Sequence, residues 1–480
     1  MPNEVLLLLV VCVPLLGSFV LPLISPVSEK LRNYAALALL LITLACAVSL
    51  MPAAMAGQVV IVQFGGVEVF QLDRLAVFMA FVSSMVGSII VFYSFGYISE
   101  YDHRSEYYFM VVLFLGSMMG LIFSKNLLGL YVFWEITAIA CWRLIGFFRS
   151  PDCVRKADKA FLVTVFGAVC MLFGFIMIYA QAGSFDLGAI QQNLHGLPVS
   201  NLAVALILLG ILSKSATVPL HTWLPDAGVA PSPVTALLHA AVLVKIGVYV
   251  YARLFLATFA VDPIWNVVVP TLAAVSALVS AGAALIETDL KRIIAYSTIS
   301  QIAFIFLGLS IGNSVGVAGG MLYILMHGIA KGGLFLCAGI VLHGTHERDI
   351  TKMGGLIHVM PLTAVSFLLC AASVMGIPPM GGFFSKYMVV TGAFNAGHTA
   401  LALTFLAGAV LTLLYLFRVF NLVFLGDSKG PWEARGVHEH SAGMVGSVCA
   451  LAILSVLAGV FIQFPFDFVQ SAVQQMGVLP

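Results

Sequence analysis

The sequence predicts an all-α polytopic membrane protein of about fourteen transmembrane helices, with two inverted five-helix repeats and two broken helices. Three observations carry this. The chain is 61% hydrophobic and 9% charged, whereas a soluble protein carries roughly a quarter charged residues. Apolar runs of about 18 residues or more, long enough to span a bilayer, fill almost its whole length, and the mean hydropathy is +1.08. Two of the runs are interrupted by proline and glycine close to a lysine.

The spans, in order, are 4–24, 33–51, 73–97, 107–123, 127–148, 160–181, 201–218, 233–256, 265–286, 293–311, 316–342, 360–376 continuing after a break, 399–425 and 442–464. The first, "MPNEVLLLLVVCVPLLGSFVLPLI", has no basic n-region and carries Glu4, so it reads as a membrane helix and not a cleaved signal. The largest connections are 52–72 and 182–200, with no soluble domain and no long linker. The first break is "GILSKSATVPLHTWLPDA", where Lys214 is followed by Pro219 and His221. The second is "SVMGIPPMGGFFSK", where Pro378 and Pro379 sit among Gly376, Gly381 and Gly382, ahead of Lys386. Proline removes a backbone donor and glycine weakens the helix, so neither stretch continues as helix. Broken backbone at membrane depth persists only when buried in protein or lining a polar cavity, and paired breaks in corresponding halves mark inverted-repeat transporters. The breaks fall on the seventh and twelfth spans. The expected organisation is therefore 1–106 for the first three helices, 107–256 and 265–425 for the two repeats, and 442–480 for the last helix.

Basic residues distribute unevenly over the connections. One side collects Lys30, Arg32, Arg104, Arg149, Arg155, Lys156, Lys159, Lys291, Arg292, Arg348, Lys352, Lys429 and Arg435, the other only Arg74, Lys125 and Arg253. The positive-inside rule makes the rich side cytoplasmic and puts both termini outside. Arg143, Lys214, Lys245, Lys331, Lys386, Arg418 and one acid, Glu135, fall inside spans. Each such charge costs roughly 2.5–3.5 kcal/mol at a helix centre on the insertion scale, so it faces protein or a wet cavity. Lys214, Lys245 and Lys331 lie about 12 to 15 residues into their spans, roughly 18–23 Å deep at 1.5 Å per residue. That is a polar row in the plane of the membrane. Arg143 and Arg418 lie nearer span ends, where snorkelling serves equally well. His327 and Lys331 are four apart on one helix face, while His239 and Lys245 share a helix but not a face. Glu287, Asp289, Lys291 and Arg292 read as a solvated turn with helix-end charges.

Net charge is +1, which leaves nucleic-acid binding nothing to rest on. The 8 cysteines form no C-x-x-C pair and read as small buried residues. No flavin, haem, iron–sulfur, zinc or nucleotide motif is present in the sequence.

The segments "FWEITAIACWRLIGF", "KSATVPLHTWLPDAGVAPSPVTALLHAAVLVKIGVYVYARL", "DLKRIIAYSTISQI", "MHGIAKGGLFLCAG" and "GIPPMGGFFSK" follow one another in family order. In them the chain resembles the antiporter-like, proton-translocating membrane subunits shared by complex I, group 4 membrane-bound hydrogenases and formate hydrogenlyases, and multisubunit cation/proton antiporters. The resemblance implies a proton path through Glu135, paired with Lys214, then Lys245, His327, Lys331 and Lys386. His221 and His239 stand as further relay candidates, and Pro219, Pro378 and Pro379 as the helix breaks. Arg143 departs from the aromatic or aliphatic residue expected there. The chain lacks the long lateral helix of the distal complex I subunit.

The resulting expectation is a proton-translocating subunit of a redox-driven complex in a bacterial or archaeal inner membrane. It would have no cofactor of its own. Iron–sulfur, flavin or nickel–iron centres would belong to partner subunits of a peripheral redox arm, and homologous antiporter-like subunits would sit beside it in the lipid bilayer. The alternative is a subunit of a multisubunit Na+/H+ antiporter without a redox partner. An independent solute transporter and a structural scaffold are the remaining readings. The sequence leaves the choice between H+ and Na+ open.

Overall fold

In a computed structural model, which describes residues 1–439 and 441–478, the chain is a bundle of membrane helices. Among the described residues 12 helices are long and apolar enough to cross a membrane. They are α1 (Asn3–Ile24), α2 (Glu29–Met55), α3 (Arg74–Glu100), α4 (Arg104–Phe123), α5 (Leu127–Ile145), α6 (Pro151–Ala182), α8 (Ser232–Leu256), α9 (Trp265–Ile286), α10 (Leu290–Ser310), α11 (Ser314–Thr345), α14 (Thr399–Phe424) and α15 (Ala442–Val460). The two broken spans supply α7 (Asn201–Lys214) and the pair α12 (Pro361–Met375) and α13 (Gly381–Asn395). A last helix, α16 (Gln463–Gln475), follows α15. The protein is a polytopic membrane protein, as its composition predicts.

Polar caps mark where many of these helices start. Asp73 accepts from Ala76 N at 2.8 Å, Asn126 from Gly129 N at 2.6 Å and Asn313 from Gly316 N at 2.9 Å. Each side chain satisfies an orphan donor of a first turn. Lipid leaves no other partner for backbone groups, so hydropathy and caps together delimit most spans.

α11 is the central pillar: its most apolar window is fully buried, and it packs against α3, α8, α10, α12, α13, α15 and α16. α8 is equally enclosed and α10 nearly so, whereas α1, α2, α6 and α14 turn most of their surface outward. The lysine row lies on or against the enclosed helices, so a membrane charge has protein around it.

Three regions depart from the sequence reading. Connection 52–72 holds an antiparallel hairpin, β1 (Val60–Phe64) with β2 (Val67–Leu72), turned at Gly65 and Gly66 with φ of +58° and +82°. Connection 182–200 holds a short helix, Leu187–Leu194. The eighth span is interrupted by π turns at Leu237–Ala241 and Ala252–Leu256. Chain direction places the basic-rich connections on one face and Arg74, Lys125 and Arg253 on the other.

Candidate functional site

The breaks position the first and last lysines of the row. α7 stops at Lys214 itself: Ala216 adopts φ +52°, Val218 N donates to Ser276 Oγ at 3.1 Å, and the chain resumes helix at Trp223. Trp223 Nε1 closes the gap by donating to Ser213 O at 3.0 Å, a second donor to a carbonyl of the last turn of α7. Lys214, fully buried, donates to Trp134 O at 3.0 Å and lies 4.8 Å over the Trp134 ring. At the second break Gly376 takes φ +81°, and a Cβ at Gly382 would overlap the Ser373 carbonyl. Lys386, on the first turns of α13, reaches back to donate to Val374 O at 2.7 Å. A cation thus sits on the carbonyl end of α12, where the helix dipole favours it.

Glu135 adjoins Trp134 on α5 and lies within electrostatic range of Lys214, yet no ion pair within 4.0 Å joins them among the described residues. Its Oε1 is buried without a protein hydrogen-bond partner, and Tyr131 stands within hydrogen-bonding reach one turn back. The pair is adjacent and open.

The first π turn of α8 prepares the site of Lys245. It breaks the ladder at Val242 (φ −129°, ψ −74°). Lys245 Nζ donates to the freed Ala240 O, and Ser83 Oγ of α3 donates to Ala241 O at 3.0 Å. π bulges are rare and gather at functional sites. The same ammonium lies 3.4 Å from His327 Nδ1 on α11. His327 Nε2 and both ring nitrogens of His239 are buried with no protein partner among the described residues, and His239 packs at 4.4 Å on the Phe335 ring.

His327 and Lys331 share a helix but serve different neighbours. Lys331 Nζ donates to Ser297 Oγ at 2.6 Å and Ile294 O at 3.2 Å, both on α10. Tyr415 OH of α14 donates to the same Ser297 Oγ at 2.7 Å. Gln301 Nε2 donates to Tyr415 OH at 3.4 Å and Thr412 Oγ1 at 3.2 Å, and its Oε1 accepts from Tyr323 OH at 2.6 Å. The Tyr323 ring lies 5.6 Å from Lys386 Nζ and 6.0 Å from the His327 ring. Ser297, Gln301, Tyr323, Thr412 and Tyr415 are absent from the sequence reading. Their signal is partly visible: "AYSTISQI" is unusually polar for a span. Its partner on α14, "TLLYLF", looks like any apolar helix.

His221 is not brought into the row. It is half-buried just beyond the break, and its Nδ1 contacts Pro219 O at 3.3 Å. Arg143 turns away from Glu135 to pair with Glu106 of α4, which also takes Arg149 Nη2 at 2.6 Å. Arg418 donates to Leu285 O and Glu287 O at 2.9 and 2.8 Å, capping the end of α9. The turn at Glu287–Arg292 is more than a solvated loop. Lys291 is buried and donates to Ala230 O at 2.6 Å, because the segment after the first break folds over it.

That segment is clamped by Asp226, which takes Lys159 of α6 at 2.7 Å and Arg292 of α10 at 2.8 Å. Burial alone would raise the Asp226 carboxyl, but the Lys159 and Arg292 hydrogen bonds outweigh it and hold it below the usual carboxylate range. A depressed carboxylate contributes stability that is complete above its unfolded value of about 3.9 and lost as pH falls through the folded value. Asp226→Asn is therefore expected to lower the melting temperature of the solubilised protein at pH 7, by the equivalent of about 1.5–3 kcal/mol for charged hydrogen bonds. The gap to wild type should close below about pH 4. A gap unchanged at acid pH would mean that the charge on Asp226 does not hold the segment down.

Residues 124–412 match the family model described as NADH:quinone oxidoreductase/Mrp antiporter, TM. The chain is 36% identical over 419 residues to a Na(+)/H(+) antiporter subunit of Alkalihalophilus pseudofirmus, covering 81% of this chain and 52% of that protein. It is 33% identical over 417 residues to a Na(+)/H(+) antiporter subunit of Staphylococcus haemolyticus, with the same coverage of 81% and 52%. The chain thus spans about half the length of these relatives. Its fold is shared with a chain of the Mrp complex from Dietzia sp. (TM-score 0.89, 23% identity, 99% of this chain and 98% of that one). A chain of the membrane-bound sulfane sulfur reductase, an archaeal respiratory membrane complex, is equally similar (TM-score 0.90, 24% identity, 98% of each).

Proposed function

The chain belongs to the NADH:quinone oxidoreductase/Mrp antiporter transmembrane family, and we propose that it is an ion-translocating membrane subunit of a multisubunit complex. The observation that carries this is the row itself: Lys214, Lys245, Lys331 and Lys386 are buried on separate helices, with Glu135 at one end and His327 between. A structural scaffold has no use for so many costly charges.

In this reading Glu135 holds Lys214 protonated when the two close and releases the proton when they part, since a nearby carboxylate favours the ammonium and burial opposes it. Ser215 Oγ is buried without a protein partner among the described residues, against Gly247 of α8, two residues beyond Lys245. Lys245 shares the proton with His327, which hands it on towards Lys331 and Lys386. We place water around His239 and His327 Nε2, because buried polar groups lacking a protein partner are ordinarily satisfied by ordered water. His239 lines that stretch, and His221 serves the basic face only. The two repeats, 107–256 and 265–425, each contribute one break to the row.

Of the two settings that the family allows, cation/proton antiport has the better support, because the sequence relatives named above are Na(+)/H(+) antiporter subunits. The likeness to the sulfane sulfur reductase bears on the fold alone, so a redox arm with its own cofactors stays a secondary reading. We place the basic face in the cytoplasm, both termini outside, and other membrane subunits beside this one.

The test is coupled transport in inside-out membrane vesicles carrying the whole complex. Lys214→Met and Glu135→Gln should each bring Na+-dependent proton movement to background while the complex still assembles. Transport that survives both changes overturns the reading. Vesicles that move protons only when an electron donor is supplied would select the redox-driven setting.

A further inference from the structure

We propose that Gln301 is a positioning residue that ties the Lys331 branch by hydrogen bonds to Tyr323, whose ring stands beside Lys386, while refusing passage to protons. The inference rests on the reading of the row as an ion path, and it names a residue which that reading does not use.

The two ends of the amide are told apart by their partners. Thr412 Oγ1 spends its proton on Gly408 O at 2.8 Å, and Tyr415 OH spends its own on Ser297 Oγ at 2.7 Å. Both oxygens therefore accept, and both face Nε2, the donor end. Tyr323 OH donates to the other end at 2.6 Å, which must be the carbonyl oxygen. Gln301 is fully buried, so the arrangement has no solvent to compete with it.

The consequence is chemical. A proton leaving Lys331 Nζ can pass to Ser297 Oγ, and with both hydroxyls turning, the Ser297 proton can pass to Tyr415. The next atom is an amide nitrogen. It already carries two hydrogens and has no free lone pair, since that pair is delocalised into the carbonyl. The relay stops there, although the hydrogen bonds continue to Tyr323 and the ring beside Lys386. A carboxyl in the same place would take the Tyr415 proton on one oxygen and release a proton from the other to Tyr323 OH, which would give up its own to water beside Lys386. Protons from Lys331 then reach Lys386 only when the amide moves or water bypasses it, and that keeps the two stations from equilibrating freely. Transport modules need such a barrier, because a continuous proton wire would discharge the gradient.

The experiment measures passive decay of an imposed pH gradient in vesicles containing the full complex, with no driving ion present. Gln301→Glu should speed the decay several-fold over wild type, while Gln301→Met, which cannot relay, should decay at the wild-type rate. Adding Tyr323→Phe to Gln301→Glu should restore the barrier. If Gln301→Glu does not assemble, Gln301→His carries the same expectation, because imidazole accepts on one nitrogen and releases from the other. An acidic or imidazole variant that assembles and holds the gradient as wild type does overturns the proposal, and so does a leak as large in Gln301→Met. Driven transport by Lys214→Met in the same vesicles separates the two levels. Loss there with a silent Gln301→Glu defeats only the barrier. Retention there defeats the ion path as a whole.

Discussion

Replacing Asp73 by alanine is expected to destabilise the protein by about 3–5 kcal/mol, the usual consequence of removing one partner from a buried ion pair. Asp73 and Arg253 are 6% and 8% exposed. The guanidinium meets the carboxylate through two hydrogen bonds, one of them Nη2 to Oδ1 at 2.9 Å, and its Nε donates to Tyr249 OH at 2.9 Å. Truncation leaves Arg253 charged, because guanidinium does not deprotonate in proteins. Asp73 also caps α3, so part of the loss in the alanine variant is a lost cap, worth about 1 kcal/mol. Asp73→Ser keeps the cap and isolates the ion pair. Asp73→Ser combined with Arg253→Met should recover most of the loss, because two apolar or satisfied groups replace one stranded charge. Thermal unfolding of the detergent-solubilised protein reads all three. If the double variant is as unstable as the single, the stranded charge is not the cause. The pair fastens α3 to the end of α8 two turns beyond Lys245.

Arg253 also shows where a sequence stops being informative. As a letter in a string it is one of three basic residues on the sparse face. Its partner lies 180 positions away, and no periodicity links them. The spans are readable because lipid forces every backbone group into a helix, and the breaks because proline and glycine cannot hide in one. The lysines are readable by cost alone. The hairpin at Val60–Leu72 has a usable signal, two glycines between alternating apolar residues, but it is short and hidden inside a connection. The π turns of α8 have none, since no residue type marks them, yet one of them frees the carbonyl that holds Lys245. The bridge through Ser297, Gln301 and Tyr415 needs two helices to meet before its hydroxyls mean anything. Glu135 and Lys214 are expected as a pair. They are neighbours, and no ion-pair contact joins them among the described residues.

Neutralising Lys245 is expected to cut driven transport by about 10²–10⁴-fold, the span that a positioned acid–base group contributes to a proton transfer. Lys245 Nζ has two partners among the described residues, the Ala240 carbonyl and His327 Nδ1. The carbonyl holds the ammonium in place and cannot take its proton; the imidazole can. When Nδ1 accepts, Nε2 carries the ring's own hydrogen and can release it on the far side, so in the proposed path the two residues act as one transfer unit. Lys245→Met and His327→Ala should therefore each stop transport, and the double variant should be no worse than either, as residues acting as a unit are strongly non-additive. Lys245→Arg is the sharper variant. It preserves the charge but never yields its proton, so a row that needs only a positive charge would survive it and a row that passes protons would not. Because Gly328 leaves the ammonium little room, with a notional Cβ there 3.4 Å from Nζ, assembly of Lys245→Arg is checked first by its yield in the purified complex. Transport near wild type in an assembled Lys245→Arg complex would make Lys245 a fixed counter-charge and move the proton path elsewhere. Transport at background, together with a silent second substitution at His327, fixes the exchange between α8 and α11 as an obligatory step of the row.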